Sequence, residues 1–237
     1  MKFFNRASKK ILTKHRRIQS KIPNEKDQKI LENLFNNESK SMHGAYPIIW
    51  KKAYKSYVKD INGNKWIDFT SSIFLSNAGH GNKDVVKAII NTAKKSLLHS
   101  YNYPTEERTE YLNYLIKNTP DNFEKAYLLS AGTEATEAAL KLMRLNSRKL
   151  KKNKPGVLCI EGNYHGRTMG AQLMNSNPLL KDWIGFDDPN IYFLPFPYEW
   201  LDIKSPKDFF MKSIENLIKE KNLDPSRDLC GIMLETF

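Results

Sequence analysis

The sequence holds few cysteines and no long apolar run. It has 237 residues, and only Cys159 and Cys230 are cysteines. Each lies in a short apolar stretch that predicts a buried strand, and neither has the paired spacing of a metal or redox motif. Reduced cysteines that pack in a core are typical of cytoplasmic proteins. No apolar stretch is long enough to cross a bilayer. The sequence therefore predicts a soluble, cytoplasmic protein with no membrane partner.

Two classes of ligand-binding pattern are also absent. The sequence has no cluster of histidine, cysteine and carboxylate residues at metal-ligand spacing, which predicts no metal site. The dinucleotide fingerprint G-x-G-x-x-G does not occur, because the stretch that comes nearest to it, "SAGTEATEAA", holds a single glycine. These absences argue against a metalloenzyme and a nucleotide-binding Rossmann protein.

Positive charge is concentrated near the N-terminus. The formal net charge is +12, yet residues 1–29 hold 10 lysines and arginines against 2 acidic residues, which leaves 28 against 24 in the rest. The basic arm, residues 1–42, suits an organelle transit peptide, a membrane-surface helix or an RNA contact, and a solvated terminal extension is the favoured interpretation. Because no motif of basic and aromatic surface residues accompanies the arm, we predict no nucleic-acid partner.

The stretch "SAGTEATEAAL", residues 130–140, places a single glycine at the start of a strong helix pattern. The apolar residues 126–129 before it predict a strand. The free N–H groups of a helix's first turn attract a phosphate or carboxylate, and Gly132 lacks the Cβ that would keep an anion away. The alternative is that Gly132 only permits the turn and Thr133 only caps the helix.

Upstream, "AYKSYVKDINGNKWIDF" alternates with period two around Asn62-Gly63, which predicts a two-stranded hairpin with a type I′ turn. A helix is expected to follow, with Asn82 or Asp84 as its N-cap, and a second helix over residues 105–119. Val85 and Ile89 fall on one face of the first helix.

From residue 126 onward, apolar strands alternate with helices. The predicted strands cover residues 126–129, 156–160, 191–196 and 229–235, and a helix is expected over 206–221. Unbroken apolar strands joined by helical crossovers indicate an α/β fold with a mainly parallel sheet. Ligands bind at the carboxyl ends of such strands. There the sequence places Gly132-Thr133, the loop with Tyr164 and His165, and Glu235.

Five motifs in order, "VKDINGNKWIDF", "SNAGHGNKDVVKAI", "SAGTEATEAALKLMR", "EGNYHGRTMGA" and "GIMLETF", resemble the class-III aminotransferases. The resemblance runs from about His43 to Phe237. It implies pyridoxal 5'-phosphate as cofactor, amino acids and oxo acids as substrates, and a homodimer for the full-length protein. It also implies the N-terminal part of the PLP-dependent transferase fold type I, in which a hairpin and helix of the small domain come before the parallel sheet.

Carried over residue by residue, the resemblance predicts a cofactor site. Gly132 and Thr133 would hold the phosphate, Tyr164 would lie on one face of the pyridine ring, His165 would lie beside it, and Glu235 would order the substrate and the groups under the ring. Two weaker matches are residues 76–81, which would line the substrate pocket, and residues 100–104, which would approach the partner subunit's site.

The same resemblance divides the chain into three parts. Residues 1–42 form the basic arm, residues 43–100 the N-terminal segment of the small domain, and residues 101–237 the first half of the cofactor-binding large domain. In this family the lysine that forms a Schiff base with the cofactor, and the aspartate that pairs with the pyridine nitrogen, lie downstream of the Glu235 motif. We therefore expect a fragment that is inactive alone, and we nominate no catalytic lysine.

Three functions stay open. The first is transamination between an amino or ω-amino donor and a 2-oxo acid. The second is a decarboxylase, epimerase or aminomutase, since the family hosts these with the same first-half motifs. The third is a noncatalytic fragment that binds the cofactor or joins a complex.

Overall fold

A computed structural model describes residues 9–44, 46–97 and 99–235. The chain divides into two compact units, residues 1–108 and 109–237. Within the described ranges, none of the helices is both long and apolar enough to traverse a bilayer.

The described chain contains eight strands and nine short or medium helices. The strands are β1 (Ile11–Leu12), β2 (Arg17–Ile18), β3 (Trp50–Tyr54), β4 (Tyr57–Asp60), β5 (Lys65–Ile67), β6 (Gly156–Ile160), β7 (Ile191–Leu194) and β8 (Leu229–Met233). The helices are α1 (Glu25–Asn37), α2 (Ser71–Phe74), α3 (Lys83–Lys94), α4 (Glu106–Lys117), α5 (Gly132–Lys149), α6 (Met169–Leu173), α7 (Pro178–Lys181), α8 (Pro206–Lys221) and α9 (Pro225–Asp228). Single 3₁₀ turns cover Lys40–Met42, Asp182–Ile184 and Glu199–Leu201.

The first unit contains an antiparallel sheet in the order β1-β2-β5-β4-β3. The predicted hairpin is present as β4 and β5, but the predicted type I′ turn is wrong. Asp60 N–H donates to the Asn64 carbonyl and Gly63 N–H to the Asp60 carbonyl, and only Gly63 in this loop has a positive φ, of 79°. A type I′ turn needs positive φ at both central residues, whereas a three-residue loop ending in a left-handed glycine needs it once.

The basic arm is not a solvated extension over its described residues. β1 and β2 come from this arm and extend the sheet, and α1 follows them. A buried polar side chain holds the arm in place, because Asn64 Oδ1 accepts hydrogen bonds from the backbone N–H groups of Gln19 (2.7 Å) and Ser20 (3.3 Å). Residues 1–8 lie outside the described part of the chain.

Both helices predicted after the hairpin form. Asn82 caps α3, and its side chain accepts from the N–H groups of Asp84 and Val85. α4 ends at Lys117, shortly before Pro120, which cannot continue a helix. The apolar face of α3 stays open, with Val85 and Ile89 exposed.

The second unit has the predicted α/β fold with a parallel sheet, and helices cover both faces of that sheet. Its sheet has the order β7-β6-β8, and both pairings with the central β6 are parallel. Alternate residues of β6 face two cores: Val157 and Cys159 pack with Leu140 of α5, while Leu158 and Ile160 belong to the core that α8 side chains cover. The burial of all five β6 residues explains its unbroken apolar sequence.

The strand predicted for residues 126–129 is absent from the described structure. This segment has no regular secondary structure and pairs with none of the described strands, and Tyr127 is 70% exposed and Leu128 42%. A strand is stabilised by hydrogen bonds to a neighbour. The apolar pattern alone was therefore not enough, because neither edge of the observed sheet pairs with this segment.

Candidate functional site

The first turn of α5 begins without a capping side chain. The helix starts at Gly132, its N-cap is Ala131 in an extended conformation, and Ala131 makes no side-chain cap. Thr133 is therefore not the cap. The first backbone bond of the helix runs from Ala135 N–H to the Ala131 carbonyl, so the N–H groups of residues 132–134 have no acceptor within the helix. They form the positive end of an 18-residue helix.

The loop after β6 lies directly against this helix start. Thr133 Oγ1 is 3.1 Å from Thr168 Oγ1, and Thr136 Oγ1 lies 2.7 Å from the His165 carbonyl oxygen, to which it donates. Gly166 has a φ of 129°, and a Cβ there would overlap the Thr133 side chain. Only glycine allows this approach, so Gly166 sets the distance between the loop and α5.

Tyr164 and Glu235 meet beside the same loop. The Tyr164 N–H donates to Glu235 Oε2 at 2.7 Å, which links the loop after β6 to the end of β8. The Tyr164 ring is 48% exposed, and its hydroxyl accepts from Arg167 Nε at 3.3 Å. The tyrosine therefore offers a partly open aromatic face in a fixed orientation.

His165 points away from solvent and is only 5% exposed. Its backbone N–H donates to Asn175 Oδ1 at 2.8 Å, and its Nε2 lies 2.6 Å from Asn163 Nδ2. An amide nitrogen can only donate, so His165 Nε2 accepts this hydrogen bond. Burial lowers the pKa of His165, and the negative charge of Glu235 opposes that shift in part. The histidine is thus a neutral, internal support of the loop.

Two polar residues of the site escaped the sequence analysis. Glu137 Oε1 accepts from Thr168 Oγ1 at 2.5 Å and from the Ala171 N–H at 3.1 Å, so it ties the start of α6 to α5. Asn175 is fully buried and its Nδ2 donates to the Gly166 carbonyl. Thr133 and Glu137 are four residues apart, and residues at this spacing share one face of a helix. The sequence therefore held a signal that could have placed Glu137 beside the site.

The two weaker predicted segments belong to the first unit, where each is held by its own contacts. In residues 76–81, His80 Nε2 donates to Asp68 Oδ2 at 2.7 Å, and the backbones of His80 and Lys55 exchange two hydrogen bonds of 2.8 Å. The hydrogen bond from His80 is the main reason that the pKa of Asp68 is lowered. In residues 100–104, the Arg108 guanidinium donates to three backbone carbonyls.

The arrangement around α5 suits a flat ligand with an anionic end. A Cβ at Gly132 would meet no atom within 4 Å, so the glycine leaves open space where the unpaired N–H groups lie. The Thr133 hydroxyl can add a hydrogen bond, and the exposed face of Tyr164 can stack on a ring. The described residues hold no group of three metal-ligating side chains. The donor set fits a phosphorylated heteroaromatic ligand.

Comparisons with known sequences point to one family. A sequence profile described as "Aminotransferase class-III" matches residues 38–237. The acetylornithine aminotransferase of Saccharomyces cerevisiae mitochondria is 32% identical over 167 residues, which are 68% of this chain and 39% of that protein. An ornithine aminotransferase of Bacillus cereus is 31% identical over 153 residues, or 63% of this chain and 38% of that protein. The chain thus spans about two fifths of the length of these curated relatives.

Solved structures share the fold. The taurine:2-oxoglutarate aminotransferase of Bifidobacterium kashiwanohense, in complex with PLP and glutamate, gives a TM-score of 0.76 at 18% identity, over 88% of this chain and 48% of that one. The ornithine aminotransferase of Toxoplasma gondii gives a TM-score of 0.67 at 19% identity, over 88% and 53%. The architecture is therefore that of the fold type I transaminases, as the sequence predicted.

Proposed function

Because this chain belongs to the class-III aminotransferase family, we propose that it binds pyridoxal 5'-phosphate and serves amino transfer from an amino or ω-amino donor to a 2-oxo acid. The curated relatives are named for ornithine and acetylornithine. Acetylation of the α-amino group leaves only the side-chain amine free to react, so a donor with a terminal amine is the first class to test.

The two compact units would have different roles in the proposed enzyme. The second unit would supply the first half of the cofactor-binding domain, and residues 43–100 of the first unit the N-terminal segment of the small domain. The complete assembly would be a homodimer in the cytoplasm. The residues 76–81 and 100–104 would contribute to the substrate pocket and to the partner subunit's site.

The single observation that carries this proposal is that the loop after β6 packs against the start of α5 and is linked to Glu235 at the end of β8. Gly132 and Thr133 would bind the phosphate through N–H groups and the threonine hydroxyl. Tyr164 would cover one face of the pyridine ring. Glu235 would fix Tyr164 through its backbone N–H and order the groups under the ring, and the buried His165 would act as a positioning residue.

When bound, the cofactor supplies an aldehyde that condenses with amines and a ring that stabilises negative charge at the neighbouring carbon. The chain's own residues bind and orient. The dipole of α5 favours the dianionic phosphate, the Tyr164 ring excludes water from one side of the site, and Gly166 keeps the Thr133 hydroxyl beside Thr168.

Binding is tested by titrating the full chain with pyridoxal phosphate, with pyridoxal and with inorganic phosphate, followed by calorimetry. We expect pyridoxal phosphate to bind more tightly than pyridoxal, and inorganic phosphate to compete. Equal affinity for the phosphorylated and unphosphorylated forms would contradict the assignment of Gly132 and Thr133.

Activity is tested by incubating the loaded chain with ornithine, acetylornithine or taurine and with 2-oxoglutarate, followed by chromatography of the amino acids formed. Glutamate formation supports amino transfer. Isomerisation or release of carbon dioxide without an acceptor would favour a decarboxylase, epimerase or aminomutase. Tight binding without turnover is expected if the chain alone lacks the Schiff-base lysine, and it also fits a noncatalytic fragment. Borohydride reduction followed by peptide mapping shows whether any lysine reacts with the cofactor.

A further inference from the structure

One face of the sheet in the first unit carries a row of cations that the sequence alone does not reveal. Strand register places Lys52 opposite Lys59, Lys59 opposite Lys65, and Lys65 opposite Arg17. These residues therefore form one line across four neighbouring strands, which we call the cationic row. Their neighbours along the strands, Ile18 and Val58, are buried, because alternate residues point to opposite faces.

Among the residues that the structure describes, the cationic row has no negative partner. Residues 9–19 and 50–67 together hold ten lysines and arginines and a single carboxylate, that of Asp60. Asp60 is buried, and it accepts from Asn64 Nδ2 and the Trp66 indole. None of the ion pairs among the described residues involves the four cations of the row. Like charges directly opposite each other across strands are unfavourable, so an external anion would stabilise this face.

Aromatic rings stand beside the cationic row. Tyr54 and Tyr57 are paired across β3 and β4, two residues along each strand from Lys52 and Lys59 and so on the same face. Tyr54 is 53% exposed. The Lys65 ammonium lies 3.8 Å from the centroid of the Tyr57 ring, and the His15 ring lies parallel to Tyr57 at 6.4 Å. Tyr54, Tyr57 and the three lysines of the row line one concavity of about 500 Å³.

We propose that this face binds single-stranded nucleic acid, with the cationic row on the phosphates and Tyr54 as a stacking platform for a base. Neighbouring strands lie about 4.8 Å apart, so the row spans roughly 15 Å. One stacked strand carries a charge about every 3.4 Å, or about four phosphates over that length. Four cations thus match the spacing of the polyanion.

The aromatic rings select single strands over other polyanions. A duplex offers its phosphates but keeps its bases stacked inside, and heparin has no aromatic bases, so neither gains from Tyr54. Bases of a single strand stack on aromatic side chains without need of a particular sequence. This binding is independent of the proposed cofactor site, whose residues belong to the other compact unit.

The test measures fluorescence anisotropy of labelled 12-nucleotide oligouridine and oligothymidine with the full chain over a range of salt concentrations. Four phosphate contacts predict a slope of log affinity against log salt of about −3, since each contact on a single strand contributes about −0.7. The variant K52A/K59A should reduce the slope to about half. The matched control K207A/K212A removes two exposed lysines of α8 and should leave it unchanged.

The tyrosine is tested separately. Tyr54→Ala should weaken binding by roughly 5- to 150-fold, whereas Tyr54→Phe, which keeps the ring, should bind like the unmodified chain. Circular dichroism confirms that each variant is folded. Three results would overturn the proposal: no binding, equal affinity for a 12-base-pair duplex or heparin, or Tyr54→Ala binding as well as Tyr54→Phe. Oligouridine and oligothymidine distinguish RNA from DNA.

Discussion

Two glycines of the candidate site should respond in opposite ways to the same added methyl group. At Gly132 the new Cβ meets no atom within 4 Å, whereas at Gly166 it overlaps the Thr133 side chain and the backbone has a φ of 129°. Gly132→Ala should therefore leave the folded state intact. Gly166→Ala should push the loop after β6 away from α5.

The magnitudes follow from these surroundings. Replacing glycine by alanine in a helix contributes up to about 1 kcal/mol, so Gly132→Ala should be neutral or slightly stabilising. Overpacking costs about 1–3 kcal/mol and an unfavourable φ about 1–2 kcal/mol more, so Gly166→Ala should lose roughly 2–5 kcal/mol. Urea unfolding followed by tryptophan fluorescence measures the free energy of unfolding of both variants.

Cofactor binding should separate the two variants further. The Cβ of Gly132→Ala would occupy the space beside the unpaired N–H groups and weaken pyridoxal phosphate binding by about tenfold or more, the worth of one charged hydrogen bond. Pyridoxal, which lacks the phosphate, should bind this variant as before. If Gly132→Ala lost stability, or lost affinity equally for both ligands, the reasoning about the open helix start would be refuted.

Three further predictions concern titratable groups. Burial lowers the pKa of His165 below 6.5, so the unfolded chain takes up the proton first and the free energy of unfolding should fall as pH drops below 6.5. His165→Gln should reduce this pH dependence in urea midpoints measured from pH 5 to 8. An unchanged pH dependence would contradict the prediction. The hydrogen bond from His80 lowers the pKa of Asp68 below 3.8. Its contribution to the stability of the folded chain is therefore present above pH 3.8 and is lost as pH falls through the lowered pKa. His80→Ala should raise the pKa of Asp68 measured by carboxyl NMR, although hydrogen bonds from Thr70 still lower it. Burial raises the pKa of Cys159 to about 12. Iodoacetamide at pH 8 should therefore leave Cys159 unmodified in the folded chain and should modify it after unfolding. Rapid modification of Cys159 in the folded chain would contradict the burial of β6.

The positions of β6 and α8 in the second unit could be predicted because their signals are local. Neighbouring residues alone predict β6, through its unbroken apolar run, and the helix that begins at Pro206. Residues 126–129 show the limit of that reasoning, because a strand depends on a partner that local sequence does not specify. The type of turn at Asn62-Gly63 failed for a related reason, since the loop length depends on the register of both strands.

The polar contacts of the site could be predicted only in part. The five motifs were enough to nominate four candidate site residues, Gly132, Thr133, Tyr164 and Glu235. The burial of His165 was not foreseen, because it depends on Asn175, which reaches the loop from beyond α6. The cationic row was missed for the same physical reason, because its members are distant in sequence and meet only through strand pairing. The proposal built on it therefore runs against the sequence prediction that the chain has no nucleic-acid partner.

The central claim is that the start of α5 binds an organic phosphate while Tyr164 covers its ring. Amide NMR of the ¹⁵N-labelled chain tests it most directly, by recording the N–H resonances during titration with pyridoxal phosphate. The account predicts that the largest shifts occur at Gly132, Thr133 and Tyr164, and that inorganic phosphate moves only the first two. Shifts confined to other parts of the chain, with these three resonances unchanged at saturation, would contradict it.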